Sequence, residues 1–186
     1  MNALVGTALG LWMALVAASA AVWWMTERST RPLLARTSLL VGIICAEVLT
    51  TGAVALLAAL SGPLTPPASW LAGSVAVTAA AVTGGTTTLT VLALADASTR
   101  PGTARVQRTV LRGGAWIGAL ERLATIGTLL AGWPEGLAAI VAVKAFARYP
   151  ELRTGQATGA IERFIIGTFT SLGWAAICAG IATLLG

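Results

Sequence analysis

The chain has no histidine, one tyrosine, three phenylalanines and two cysteines, and only 10% of its 186 residues are charged. Each scarcity excludes something. Without histidine there is no Ser-His or Cys-His nucleophile pair, no His-ligated haem, and most zinc sites are ruled out. Two cysteines, Cys45 and Cys178, both inside apolar runs, do not make a disulfide framework; they read as small buried hydrophobes. A soluble domain of this length carries closer to a quarter charged residues. No metal-binding motif is present and no cofactor is implied.

Long apolar runs stand in place of charge. Hydrophobic residues are 56% of the chain, and they are continuous rather than spaced along one helical face. About 18 such residues suffice to span a bilayer. The runs are Ala3–Met25, Ser38–Leu60, Trp70–Ala95, Ala115–Gly132, Gly136–Tyr149 and Ile161–Leu185. They predict an all-α, polytopic integral membrane protein with six transmembrane helices in one domain. The fifth run is short, and a half-spanning segment is its alternative; Pro134 suits its first turn, and Arg148 can snorkel at its far end. Ala18-Ser19-Ala20 imitates a signal-peptidase site, but no positive segment precedes the first run, which therefore reads as a retained helix. Pro/Gly/Ser clusters at Ser61–Pro67 and Ser98–Gly102 are turns between spans.

The net charge of +5 follows topology and does not point to nucleic acid. Arg28, Arg31 and Arg36 lie between runs one and two. Arg100, Arg105, Arg108 and Arg112 lie between three and four. Arg148, Arg153 and Arg163 flank the turn between five and six. The opposite turns, Ser61–Pro67 and Trp133–Glu135, hold no Lys or Arg. Basic loops stay in the cytoplasm, so both termini are expected outside a multi-pass cytoplasmic membrane protein. Trp23, Trp24, Trp70 and Trp133 sit near run ends, as interfacial anchors do. Segment Asp96–Gly114 reads as the largest positive-inside loop, with anionic inner-leaflet binding as the alternative.

Six ionisable residues interrupt the last three runs: Glu121, Arg122, Lys144, Arg148, Glu162 and Arg163. Such residues are costly in lipid and need a partner or a purpose. At 1.5 Å per residue, Glu121 lies roughly 9 Å inside run four, and Lys144 reaches a similar depth from the same side. Lys144 and Arg148 are like charges one turn apart, which is unfavourable without an anion between them. Four cations against two anions leave a positive surplus suited to a phosphate, which Arg grips bidentately and Lys as a point charge. Thr125 and Thr128 follow Glu121 on one stripe; Gly167, Thr170, Ser171 and Trp174 follow Arg163 on another. These small and hydroxyl residues equally serve close helix packing. Interhelical ion pairs that only fix packing are the plain alternative for the charges.

Two other features stand out. Glu47, near the middle of run two, is expected to be protonated, or paired with Lys144 or Arg122. Thr83-Gly84-Gly85-Thr86-Thr87-Thr88-Leu89-Thr90 reads as close helix packing, or as a helix loosened toward a cavity.

The segments Ile117-Gly118-Ala119-Leu120-Glu121-Arg122, Val143-Lys144-Ala145-Phe146-Ala147-Arg148 and Ile161-Glu162-Arg163-Phe164-Ile165-Ile166-Gly167-Thr168, with Ser171, resemble a bacterial family of small polytopic membrane proteins of unknown function. The likeness covers roughly the last third to two-fifths of the chain. The first half shows no family motif, and the acidic and histidine residues sometimes found near the family's N-terminus are missing. The family implies no activity, but the resemblance rests on the same charged residues.

Three functions fit. The first is an inner-leaflet pocket in which Arg122, Lys144, Arg148 and Arg163 bind an anionic lipid or isoprenoid phosphate, the protein acting alone, as a homo-oligomer or in a larger membrane complex. The second is an enzyme on a prenyl or lipid substrate, with Glu47, Glu121 or Glu162 as general acid or base, as in terpenoid cyclisation started by a protonating carboxyl. Against it, no DDxxD-like motif is present, although Trp12, Trp116 and Trp174 can shield a cation. The third is a small transporter or substrate-binding subunit, for which no inverted repeat is visible.

Overall fold

The computed structural model describes residues 3–28, 37–99, 112–153 and 160–186. Among these, six helices and no strands occur: α1 (Ala3–Arg28), α2 (Thr37–Ser61), α3 (Ala68–Thr99), α4 (Arg112–Leu130), α5 (Gly136–Arg153) and α6 (Ala160–Leu185). Four of them carry stretches long and apolar enough to cross a membrane: Ala3–Val22, Ser38–Ser61, Ala68–Asp96 and Ile161–Leu185. Helices α4 and α5 have 19 and 18 residues, but Arg112, Glu121 and Arg122 in one and Lys144, Arg148, Glu151 and Arg153 in the other dilute their apolar character. The basic stretches around Arg31–Arg36 and Arg100–Arg108 lie outside the described residues.

Several helices extend beyond their apolar runs, α1 to Arg28 among them. Helix α3 continues past Ala95 to Thr99, and α4 begins at Arg112 rather than Ala115. Helix α5 continues through Pro150 to Arg153. A proline removes one backbone donor from a helix, and here the helix takes that loss and completes another turn. Apolar runs mark where lipid-compatible side chains stop; helical hydrogen bonding needs no such side chains and continues beyond them.

Helix α3 is the centre of the bundle. It packs against α1, α2, α4 and α6, whereas α5 packs chiefly on α4. Ala72, Ala76, Ala79 and Ala80 on α3 are buried, as are Ala175, Ala179 and Ala182 on α6. Small side chains let two backbones approach, which is how helices gain packing energy where lipid removes the hydrophobic drive between them. Trp12 and Val5 of α1 and Val54 and Ala58 of α2 complete the same core.

Helices α3 and α6 run antiparallel over their whole length. Gly186 lies by Ser69 at one end, Trp174 bonds to Thr83 in the middle, Gly167 touches Thr88 and Leu92 further on, and Arg163 pairs with Asp96 at the other end. The α2–α3 turn is tied to the end of α6 by the Leu64 amide, which donates to the Leu185 carbonyl at 2.8 Å.

The α4–α5 hairpin closes through a Schellman motif. Gly132, at φ +71°, donates to Leu129 O at 3.1 Å, and Trp133 N donates to Thr128 O at 2.9 Å. This is the paired bonding that ends a helix on a left-handed residue. A Cβ on Gly136 would lie 2.6 Å from the Thr128 methyl, so the first residue of α5 seats directly on the last turn of α4. Gly132→Ala is expected to destabilise the fold by on the order of 1 kcal/mol, because the left-handed conformation costs about that much for a residue with a Cβ. Denaturant unfolding in detergent micelles measures it.

Candidate functional site: polar groups gathered on α3

The buried polar residues converge on one stretch of α3. Thr83, Thr86, Thr87 and Thr90 are all buried there. Each of Thr83, Thr87 and Thr90 returns its hydroxyl to the carbonyl four residues back, the usual way a helix hides a threonine. The oxygens of Thr83 and Thr87 also meet neighbouring helices, and three helices bring a polar side chain to this stretch.

Arg122 arrives from α4 and is 5% exposed. Its Nε and Nη2 donate to the Ala81 carbonyl at 3.2 and 2.8 Å. Its Nη1 donates to Ser171 Oγ of α6 at 3.3 Å. The Ala81 oxygen has a second lone pair beyond its helical bond, so α3 accepts the guanidinium without breaking its own ladder. Space comes from the glycine pair. A Cβ on Gly84 would lie 2.5 Å from Arg122 Cδ and 3.2 Å from the Trp174 ring, and one on Gly85 would lie 3.3 Å from Arg122 Nη2. The Gly-Gly pair is therefore neither a break in α3 nor a simple helix contact; α3 is continuous, and the missing side chains form the groove in which Arg122 lies.

Trp174 of α6 closes that groove. Its Nε1 donates to Thr83 Oγ1 at 2.7 Å, and Thr83 passes its own proton to Ala79 O. From α2, Glu47, 2% exposed, is hydrogen-bonded to Thr87 Oγ1 at 2.7 Å and accepts from Ser19 Oγ of α1 at 3.3 Å. The partners of Glu47 are thus hydroxyls, where a lysine or arginine was the sequence-based alternative.

The six charges of the C-terminal half divide rather than share one contact. Glu121 and Arg122 are neighbours on α4 and point about 100° apart; Arg122 turns to α3 and α6, while Glu121 turns to α5 and pairs with Lys144. Glu121 is tenth of 19 residues in α4 and Lys144 ninth of 18 in α5, so the pair sits halfway along both helices. This is deeper along α4 than a start at Ala115 implied. Both side chains are largely buried, Lys144 at 21% and Glu121 at 16% exposure. Arg163 pairs instead with Asp96, and both lie at the ends of their helices. Glu162 and Arg148 are exposed. Thr125 and Thr128 return their hydroxyls to Glu121 O and Thr125 O within α4.

Three contributors escaped the sequence reading. Asp96 falls past the apolar run, and only the extra turn of α3 brings it opposite Arg163. Ser19 sits in the Ala-Ser-Ala triplet that imitates a cleavage site. The Ala81 carbonyl has no sequence signal, since any residue supplies one.

No protein-family model, curated protein or solved structure matches this chain.

Gly84→Ala is expected to lose about 1–3 kcal/mol through overpacking. The loss should shrink in an Arg122→Ala background, where the colliding Cδ is gone, giving a measurable coupling in a double-mutant cycle.

Proposed function

We propose that the protein crosses the cytoplasmic membrane six times with both termini outside, and binds the phosphate of an anionic lipid or isoprenoid phosphate beside Arg122. The observation that carries this reading is the environment of Arg122. A guanidinium has five N–H groups; this one spends three, all on neutral oxygens. Glu121 beside it attracts the guanidinium through space, but no carboxylate hydrogen-bonds to it; a buried charge without a contacting counter-charge costs several kcal/mol, and an anionic oxygen reaching the remaining N–H groups relieves that cost. Thr168 supports it. This α6 residue is 7% exposed, its hydroxyl has no hydrogen-bond partner, and it lies one turn before Ser171, on the face that Arg122 meets. Lys144 and Arg148, one turn apart on α5, extend the basic surface toward the headgroup, with Glu121 holding Lys144 in place.

The binding reading is preferred to the carboxyl-initiated enzyme because Glu47 is enclosed by Ser19 and Thr87 and Glu121 is ion-paired. The resemblance to the bacterial membrane family belongs to this proposal, since its three segments supply Glu121, Arg122, Lys144, Arg148, Glu162 and Arg163. The hairpin of α4 and α5 crosses as a pair in this arrangement, their charged midpoints neutralising one another at Glu121–Lys144.

Native mass spectrometry of the purified protein should show retained anionic phospholipid or polyprenyl phosphate. Arg122→Gln should weaken that retention roughly 10- to 100-fold, the worth of a hydrogen bond to a charged group at 1.5–3 kcal/mol. Equal retention by wild type, Arg122→Gln and Lys144→Ala would remove the proposal. For orientation, cysteines placed at Pro63 and Glu135 in a Cys45→Ala/Cys178→Ala background should react with an impermeant maleimide in intact cells. A cysteine at Thr103 should react only after permeabilisation; the reverse pattern inverts the topology.

A further inference from the structure

The hydroxyl bonded to Glu47 is asked for two donations and has one proton. Thr87 Oγ1 lies 2.7 Å from Glu47 Oε2 and 2.9 Å from the Thr83 carbonyl oxygen. A carbonyl oxygen only accepts, and so does an ionised carboxylate. With Glu47 ionised, one of these two contacts is therefore oxygen against oxygen without a hydrogen between. With a proton on Glu47 Oε2, every contact is satisfied in one direction: Glu47 donates to Thr87, Thr87 donates to Thr83 O, and Ser19 donates to Glu47 Oε1 at 3.3 Å.

We propose that Glu47 is an intramembrane proton-binding site, its carboxyl carrying a proton that it donates to Thr87 and that joins α1, α2 and α3 through the Ser19–Glu47–Thr87 chain. Loading the site adds one proton to one carboxylate and needs no other reactant. The surrounding charges leave this assignment intact. On α2 the other ionisable residue is Cys45, which is exposed. On α3 it is Asp96, paired with Arg163 of α6. Helix α6 otherwise holds Glu162, in its first turn, and Cys178; α1 holds Glu27 and Arg28, at its far end. Arg122 gives its bonds to Ala81 O and Ser171.

A second observation marks the same face of α2. Thr51, one turn beyond Glu47, is 4% exposed, and its hydroxyl has no hydrogen-bond partner. Thr83, Thr87 and Thr90 on α3 and Thr125 on α4 return their hydroxyls to their own helices; Thr51 does not. Its hydroxyl is a second buried polar group one helical turn from the carboxyl.

Infrared spectroscopy of the full chain in lipid nanodiscs at neutral pH tests it. The wild-type spectrum should contain a protonated-carboxyl C=O band that Glu47→Gln abolishes and that Glu121→Gln and Glu162→Gln retain. Gln reproduces the neutral acid, donating to Thr87 and accepting from Ser19, so Glu47→Gln should melt within about 2 °C of wild type, whereas Glu47→Ala should melt several degrees lower. Ser19→Ala removes the donor to the carbonyl oxygen and should move the band to higher wavenumber with the fold intact. A wild-type spectrum from which Glu47→Gln removes no carboxyl band overturns the proposal. So does a Ser19→Ala spectrum identical to wild type, a result readable even if the Gln variant does not fold.

Discussion

A guanidinium laid across a helix carbonyl organises this bundle. Arg122 is nearly inaccessible, its counter-contacts are neutral, and three helices are arranged around it: α4 supplies it, α3 receives it on Ala81 O, and α6 adds Ser171 and the Trp174 ring. In lipid the alternative to such contacts is an unsatisfied polar group in hydrocarbon, which costs several kcal/mol. The glycine pair on α3 makes room for that one side chain, and the Trp174 ring, held by its bond to Thr83, lies beside it.

Helix α3 can serve as hub because its surface is divided by size and polarity. Toward its N-terminal end, alanines admit α1 and α6 at close range, and packing alone holds them. Further along, glycines and threonines replace the alanines, and polar side chains from α2, α4 and α6 arrive. Threonine suits this position because its hydroxyl can satisfy itself on its own helix while its oxygen accepts from a neighbour. Thr83 does both with Trp174. Thr87 is placed to do both with Glu47, and the direction of that bond depends on where the proton resides.

The α4–α5 hairpin solves a different problem. Both helices carry a charge at mid-length, and neither is apolar enough to be read as a span by composition. Joined by a tight turn, they place Glu121 and Lys144 at nearly equal distances from the loop, so the two charges meet. A hairpin whose halves neutralise each other buries a pair in place of two isolated ions. This is a cheaper arrangement in a medium of low dielectric constant.

Much of this was legible in the residues themselves. The helical class, the approximate segment order and the residues that would need explaining follow from run length and from the rarity of charge within the runs, because a bilayer imposes its thickness on any chain that crosses it. The meeting of Glu121 with Lys144 was also within reach, since an antiparallel hairpin with a short turn has one register. The partners of Arg122, Glu47 and Arg163 were not. Glu121 and Arg122 are adjacent in sequence yet serve different faces of α4, and no local signal says which neighbour each face meets. Arg122 chose a backbone carbonyl, a group every residue owns. Asp96 entered only when α3 outran its apolar stretch. Sequence by itself determined that buried charges had to be satisfied, because solvation energy depends on residue type. Tertiary structure alone decided by what, because a hydrogen bond depends on which atoms the helix rotations bring within three ångströms.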